Sequence, residues 1–411
     1  MGYVVGINAS RWIYESQVVY PLWKNRSRPS LQLQTLFYRL ARLLVDNFTP
    51  LFIFDGPGCA PKVCLYRSPH YSAVAEGFVE LISAFGFPWK QAPGDADAEL
   101  ARFQNFKLVD IILSHDGRAL LFGASAIINS IDRNSRDGIV VYDTRLCDTP
   151  PSRGGLVLYS LIVGNDYDLA GLCGLPGFSS SLAAQFLRSN LGDGLFLAAR
   201  KYGTDVLNRY VERWRTRFSL VLSLDPEGVF GPSGRELAIH LPKSFPDRFA
   251  LGQYATPLVS HFAGITPLPW ETGICSQTPS LQLIATCCHE LVGWEGSTMV
   301  FTRFPSVLWE PLFVNLTRAA ADANELDTIQ SGLSAAAIRV HAQEVARNGR
   351  GPMTLISYDT SVFVEATFAA LNDPVPTDQP TSPTMKRAWI ATSVVTRIWP
   401  HLVTSLPIPE V

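Results

Sequence analysis

The first half of the chain alternates short apolar runs with longer stretches whose apolar residues recur at helical spacing. Runs at 3–7 (YVVGI), 51–54 (LFIF), 109–113 (VDIIL), 126–128 and 139–142 read as strands. The stretches 31–48 and 73–85 read as helices packed between them. Strands separated by helices predict an α/β domain with a mostly parallel sheet. Further on, helical segments at 155–163 and 179–188 flank the glycine-rich turn GLCGLPG at 171–177, and 198–218 reads as another helix. The texture changes from residue 224, where DPEG (225–228) and GPSG (231–234) are turn-rich, so a boundary is expected within 219–236. The later half carries Trp294, Phe301, Phe304, Trp309 and Phe313, an aromatic stretch suited to a core, and a Pro-, Thr-, Asp- and Ser-rich loop at 371–383.

On this framework the polar residues take on meaning. The run PGDADAELA at 93–101 packs three carboxylates, Asp95, Asp97 and Glu99, into five residues with alanine as the only filler. Neighbouring carboxylates repel one another unless a cation or water neutralises them, and small fillers leave room for one to approach. The same acids also suit the first turn of a helix, where the macrodipole favours negative charge. Asn8 follows the first strand, Asp55 the second, and Asp116 stands three residues past the third; Asp166 lies in VGNDYD at 163–168. Ligands of open α/β sheets gather at the carboxyl ends of strands, so these acids are expected to meet at one mouth. The turn holding Gly171, Gly174 and Gly177 can offer backbone N–H groups to a phosphate. Within 198–218, Arg200, Lys201, Arg209, Arg213, Arg215 and Arg217 outnumber Asp205 and Glu212, which reads either as a solvated face or as a contact for an anionic polymer.

Composition narrows the class. An apolar fraction of 47% with 17% charged residues describes a packed globular chain, and 411 residues suffice for more than one domain. The formal charge of −2 supplies no global field for nucleic acid, so any such binding must use local basic patches. Seven cysteines with no C-x-x-C spacing point to a reducing, intracellular setting, not to a zinc site or a disulfide framework. No secretory signal and no run of about 18 apolar residues occurs.

The segments GINASRW (6–12), FIFDGP (52–57), FGFPWKQAPGDADAELA (85–101), ILSHDGRALLFGA (112–124) and VGNDYD (163–168) resemble, in order and spacing, the XPG/flap-endonuclease superfamily of structure-specific DNA nucleases, in particular its GEN-type Holliday-junction-resolvase branch and the fungal relatives of that branch. The resemblance covers roughly residues 3–190. It implies a PIN-like α/β core at 1–150, a helix-hairpin-type region at 151–222 that completes the nuclease core, and a smaller carboxy-terminal α+β domain at 223–411, chromodomain-like in part. It also implies phosphodiester hydrolysis with two Mg²⁺ ions, for which Mn²⁺ substitutes, on flap or junction DNA. A nuclear location and a dimer on four-way junctions follow from the resemblance as well. Two metals suit this reaction because one activates water while the other stabilises the leaving oxygen.

Carried over residue by residue, the resemblance implies Asp55, Asp95, Asp97, Asp116 and Asp166 as metal ligands. Asp55 and Asp116 stand at the catalytic centre, and Lys62 approaches the scissile phosphate. Gly171, Gly174, Gly177, Arg213 and Arg217 are the expected DNA contacts. Asp95 and Asp97 stand where the family usually has glutamates. Asn8 replaces an aspartate and keeps an oxygen but no charge. Arg118 replaces the second aspartate of a D-x-D pair. At about 5 Å and an effective dielectric near 20, each pair of unit charges is worth roughly 3 kcal/mol, and twice that against a divalent ion. Arg118 is therefore expected either to weaken one metal position or to swing away onto DNA phosphate, with one position surviving better than the other. Relatives carry a lead segment before the first strand; because Met1 stands almost at that strand, the element is expected to be absent or lost to a truncated reading of the gene. Three functions stay open: an endonuclease impaired by Asn8 and Arg118, a degenerate relative that binds branched nucleic acid or a protein partner, and, behind these, a structural protein that has lost nucleic acid as well, as the near-neutral charge allows.

Overall fold

The computed structural model describes residues 3–19, 29–60, 69–114, 117–129, 140–165, 167, 174–225, 228, 230–261, 276–294, 297–323, 339–344, 351–371 and 385–403. Strands β1 (Tyr3–Asn8), β2 (Phe48–Phe54), β3 (Trp89–Gln91), β4 (Ile111–Leu113), β5 (Ala126–Asn129) and β6 (Val140–Asp143) form one sheet in the order β3-β2-β1-β4-β5-β6. All pairings are parallel except β5 with β6. The α/β architecture is thus the one expected. Strands β7 (Arg339–Glu344), β8 (Met353–Asp359) and β9 (Met385–Ala391) make a separate antiparallel sheet.

Alternation along β2 divides the interior in two. Phe52 and Phe54 point into one core and Leu51 and Ile53 into the other, the period of two that a strand covered on both faces requires. The first core joins helices Ala9–Val19, Pro29–Leu43 and Pro69–Ala84 to the later helices Leu281–Glu290, Ser297–Val307 and Trp309–Ala323 and to the second sheet. The second core holds helices Ala96–Asn105, Arg153–Val163, Asn190–Lys201, Thr204–Leu224 and Arg248–Ala255. Residues 223–411, read from the sequence as a carboxy-terminal domain, contribute to both: Phe230 and Leu251 to the second, Phe304 and Ile356 to the first.

Local boundaries differ from the expected ones for identifiable reasons. The helix expected at 31–48 ends at Leu43, because the chain must turn before β2 begins at Phe48. The helix expected at 198–218 breaks at Tyr202-Gly203, and Thr204–Leu224 continues past 218 until Asp225 adopts a left-handed conformation with φ 43°.

The shared core makes a prediction. The Phe313 ring stacks on Tyr358 with centroids 3.9 Å apart, and Phe313 is fully buried. Phe313→Ala should cost about 3–5 kcal/mol in urea unfolding. Because Phe313 and Ile7 lie in one core, hydrogen exchange should show weakened protection in β1 as well as in β8.

Candidate metal centre and nucleic-acid surface

The strand order sets the carboxyl ends of β2, β1 and β4 side by side, with the connections diverging between β1 and β4, where such sheets take their ligands. Asn8 ends β1 and Asp55 directly follows β2. A backbone zipper brings the remaining acids to them. The Gly56 N–H donates to the Gly94 carbonyl at 2.8 Å and the Gly58 N–H to the Pro93 carbonyl at 3.0 Å. Position 56 has to be glycine, because a Cβ there would run into the Ala92 carbonyl. Asp55 Oδ1 then accepts the Ala96 N–H at 2.8 Å, and the Asp55 N–H donates to Ser10 Oγ at 2.9 Å. The Tyr71 hydroxyl donates to the same Ser10 oxygen at 3.1 Å.

Asp95 caps helix Ala96–Asn105, with Oδ1 accepting the Asp97 N–H at 2.8 Å. Asp55 and Asp95 therefore satisfy two N–H groups that the first turn leaves open, and the helix dipole favours both charges. Glu99, the third acid of the run, accepts the Ser260 N–H at 2.9 Å and ties a distant loop to the helix. Asn8 is also a cap: its Oδ1 accepts the Arg11 N–H at 2.9 Å. An asparagine side chain has one oxygen, and the start of helix Ala9–Val19 engages it.

Arg118 settles the character of the site. Gly117, left-handed at φ 71°, starts the short helix Arg118–Leu121, and the Arg118 side chain reaches the tip of helix Ala96–Asn105. Its guanidinium lies 3.0 Å from Asp95 Oδ2 and 3.7 Å from Asp97 Oδ2. Of the two placements open in the sequence, beside the acids or swung toward DNA, the structure shows the first. Asp95 Oδ2 also accepts the Tyr167 hydroxyl at 2.6 Å, and the Tyr167 ring lies 5.8 Å from the guanidinium. Burial, and after it the charge of Asp95, raises the Tyr167 pKa well above its ordinary 10.0, so Tyr167 stays a donor. Tyr254 packs edge-on against Tyr167, and Arg153 ties the two neighbouring segments together by donating to the Leu121 and Tyr254 carbonyls at 3.0 Å each. Burial pushes the Arg153 pKa down to about 10.

A divalent ion can be tested against these donors. Asp55, Cys59 and Asp95 present ligand atoms within 4.8 Å of one another, a set that fits one ion beside Asp55. The oxygens suit a hard cation, and the sulfur is a soft partner. A second ion between Asp95 and Asp97 does not fit, because the guanidinium stands against both carboxylates. The expectation that Asp95 and Asp97 both ligate metal thus meets an ion pair with Arg118. Asp116, Asp166, Lys62 and Gly171 lie outside the described residues.

The turn glycines have a packing role. Gly174 and Gly177 are left-handed at φ 81° and 83°, and a Cβ on Gly174 would strike the end of helix Arg153–Val163. The Leu175 N–H donates to the Ile162 carbonyl at 2.7 Å, so this N–H serves the turn. Arg209, Arg213 and Arg217 form an exposed line along helix Thr204–Leu224, opposite the buried Val211, Trp214, Phe218 and Leu222. Beside this helix, Arg200, Lys201, Tyr202 and Tyr210 line an open groove of about 600 Å³. Sequence reasoning counted the charges there but not the tyrosines between them. Tyr167 was missed as well: only the acids of NDYD were read.

Known proteins share part of this sequence and the fold. Residues 86–166 match the family model of the XPG I-region. A mouse protein, Flap endonuclease GEN homolog 1, is 26% identical over 218 residues, 47% of this chain and 23% of that protein. Flap endonuclease GEN-like 1 of Arabidopsis thaliana is 34% identical over 160 residues, 38% of this chain and 26% of that protein. The chain therefore matches about a quarter of the length of each of these two relatives. A crystal structure of the Holliday junction-resolving enzyme GEN1 with product DNA and Mg²⁺ superposes with a TM-score of 0.67 at 22% identity, covering 98% of this chain and 90% of that one. Human GEN1 in complex with Holliday junction DNA gives 0.61 at 20% identity, covering 98% and 91%. Among the described residues, no helix is long and apolar enough to cross a membrane.

Tyr167→Phe removes one donor from Asp95 and should cost about 1.5–3 kcal/mol in urea titrations, the range for a hydrogen bond to a charged group. Tyr167 has a raised pKa in the fold, so its stabilisation is complete below its ordinary 10.0 and is lost as pH rises above that value. The advantage of wild type over Tyr167→Phe should therefore be full at neutral pH and shrink in alkaline solution.

Proposed function

We propose that this chain, which matches the XPG I-region over residues 86–166 and is similar to GEN-type flap endonucleases, is a structure-specific endonuclease acting on branched DNA, flaps and four-way junctions, with low turnover. The observation that carries this reading is the convergence of Asn8 and Asp55 with the Asp95-capped helix at the switch point of the sheet, that helix lying within the matched I-region. Asp55 is the chain's main described metal ligand in this reading, joined by Asp116 and Asp166, with Lys62 directed to the scissile phosphate. A divalent ion held there supplies a water nucleophile and charge stabilisation. The protein's own part is to position: Ser10 and the Ala96 N–H fix Asp55. Asn8 adds no charge, and Arg118 offsets part of the negative charge that a metal would need. Turnover is low for both reasons.

DNA is held by local basic surface, as a near-neutral chain requires. Arg213 and Arg217 contact phosphates along the exposed ridge. The groove at Tyr202 and Tyr210 suits an unpaired strand, since aromatic faces stack any base while adjacent cations meet the backbone. A nuclear location and two copies on one junction belong to the same reading.

A second reading, binding without cleavage, is favoured by one observation, the Arg118 ion pair with Asp95 and Asp97. One assay separates the two. Full-length protein in excess over a labelled flap or four-way junction, with Mg²⁺ or Mn²⁺, should nick the DNA slowly, and Asp55→Asn should abolish the nicking. Binding with no product under these conditions would establish the second reading. Arg213→Ala and Arg217→Ala should each reduce the slope of log binding constant against log salt by about 0.9, the signature of one lost phosphate contact.

A further inference from the structure

Arg118 does at the Asp95–Asp97 pair what a bound cation does in an acidic centre. Both carboxylates are more than nine-tenths buried, with residue exposures of 6% and 4%. Each faces the guanidinium, at 3.0 Å and 3.7 Å. The Asp95 oxygens have further donors, the Asp97 N–H on Oδ1 and the Tyr167 hydroxyl on Oδ2. The cation is held on its own side too, by the Tyr167 ring beneath it and by the left-handed Gly117 that aims it. An ordered arginine with two buried anionic partners cannot be displaced without leaving a buried charge uncompensated.

We propose that Arg118 is a covalent replacement for one divalent ion, so that the acidic mouth is assembled without metal and takes no more than one ion, on the Asp55 side. The inference deepens the endonuclease reading where it concerns the remaining ion. The replacement itself stands on the ion pair and does not depend on cleavage. A guanidinium shares its single positive charge between the two carboxylates it faces, and it has no exchangeable ligand position for water. It can therefore organise the site and cannot activate a nucleophile there.

The test uses full-length protein in two measurements that need no activity. Mn²⁺ binding is followed by electron paramagnetic resonance and calorimetry, and thermal unfolding is compared in EDTA and in millimolar Mn²⁺. Wild type should bind at most one Mn²⁺ per chain at sub-millimolar concentration, and its melting temperature should differ between EDTA and Mn²⁺ by no more than one weakly bound ion gives. Arg118→Asp should bind one ion more and melt several degrees higher with Mn²⁺ than in EDTA. Arg118→Gln, which adds no third carboxylate, covers the case in which Arg118→Asp does not fold. It should melt lower than wild type in EDTA and regain stability on adding Mn²⁺. Two sub-millimolar Mn²⁺ ions on wild type would overturn the proposal, and so would folded variants whose stoichiometry and metal response equal those of wild type. Wild type binding no Mn²⁺ at all would uphold the replacement and overturn metal-dependent cleavage, so the two ideas fail separately.

Discussion

Two carboxylates buried side by side at a helix tip cannot both stay ionised without a cation, and the behaviour of this molecule follows from which cation is present. Asp95 and Asp97 have only a few per cent of their surface in water. Removing one partner from a buried ion pair typically costs about 3–5 kcal/mol, because the remaining charge has nowhere to be solvated. Arg118 is therefore a structural necessity once both acids are ionised. The helix dipole and the Tyr167 hydroxyl assist, but each supplies only a partial charge. A covalent cation differs from a bound one in permanence: it does not dissociate, compete with chelators or exchange ligands.

That permanence fits the way the fold around it is built. The acidic mouth rests on a glycine zipper between two loops, on two helix caps and on a sheet with one core on each face. Elements near the end of the chain complete the first core, so the sheet that positions Asn8 and Asp55 depends on residues some 300 positions away, such as Phe313 and Ile356. Fixed side chains and shared packing make a rigid site. Rigidity lowers the cost of binding any partner of fixed geometry, since little ordering remains to be done.

Much of this was legible in the sequence where the signal was local. The β1 and β2 strands and the helix beginning near Asp95 came from short-range pattern, and the intrusion of Arg118 from the family resemblance. The three-residue β3 was not legible, because WKQ has no apolar alternation and pairs only with β2. The joint core was hidden for a different reason: packing between Phe37 and Phe304 leaves no trace in either local segment. The direction of the Arg118 side chain depends on the φ of Gly117, a conformation that glycine permits but does not announce. Tyr167 escaped notice because a tyrosine between two acids carries no motif of its own.

Asn8 and Arg118 gain by being considered together. Relative to the acidic pattern that the chain resembles, Asn8 removes one negative charge, and Arg118 removes another and adds a positive one. The mouth is three units more positive, against the two units that a single divalent ion brings. Charge of that size changes what the site can attract. A mouth rich in carboxylates repels a phosphodiester until metals are bound, whereas one neutralised in advance can admit the backbone directly. Asn8 supports the same shift, since its only side-chain oxygen is engaged by the Arg11 N–H. The two replacements thus move the site from metal capture toward tolerance of an anionic group, while Asp55 keeps donors for one ion beside it.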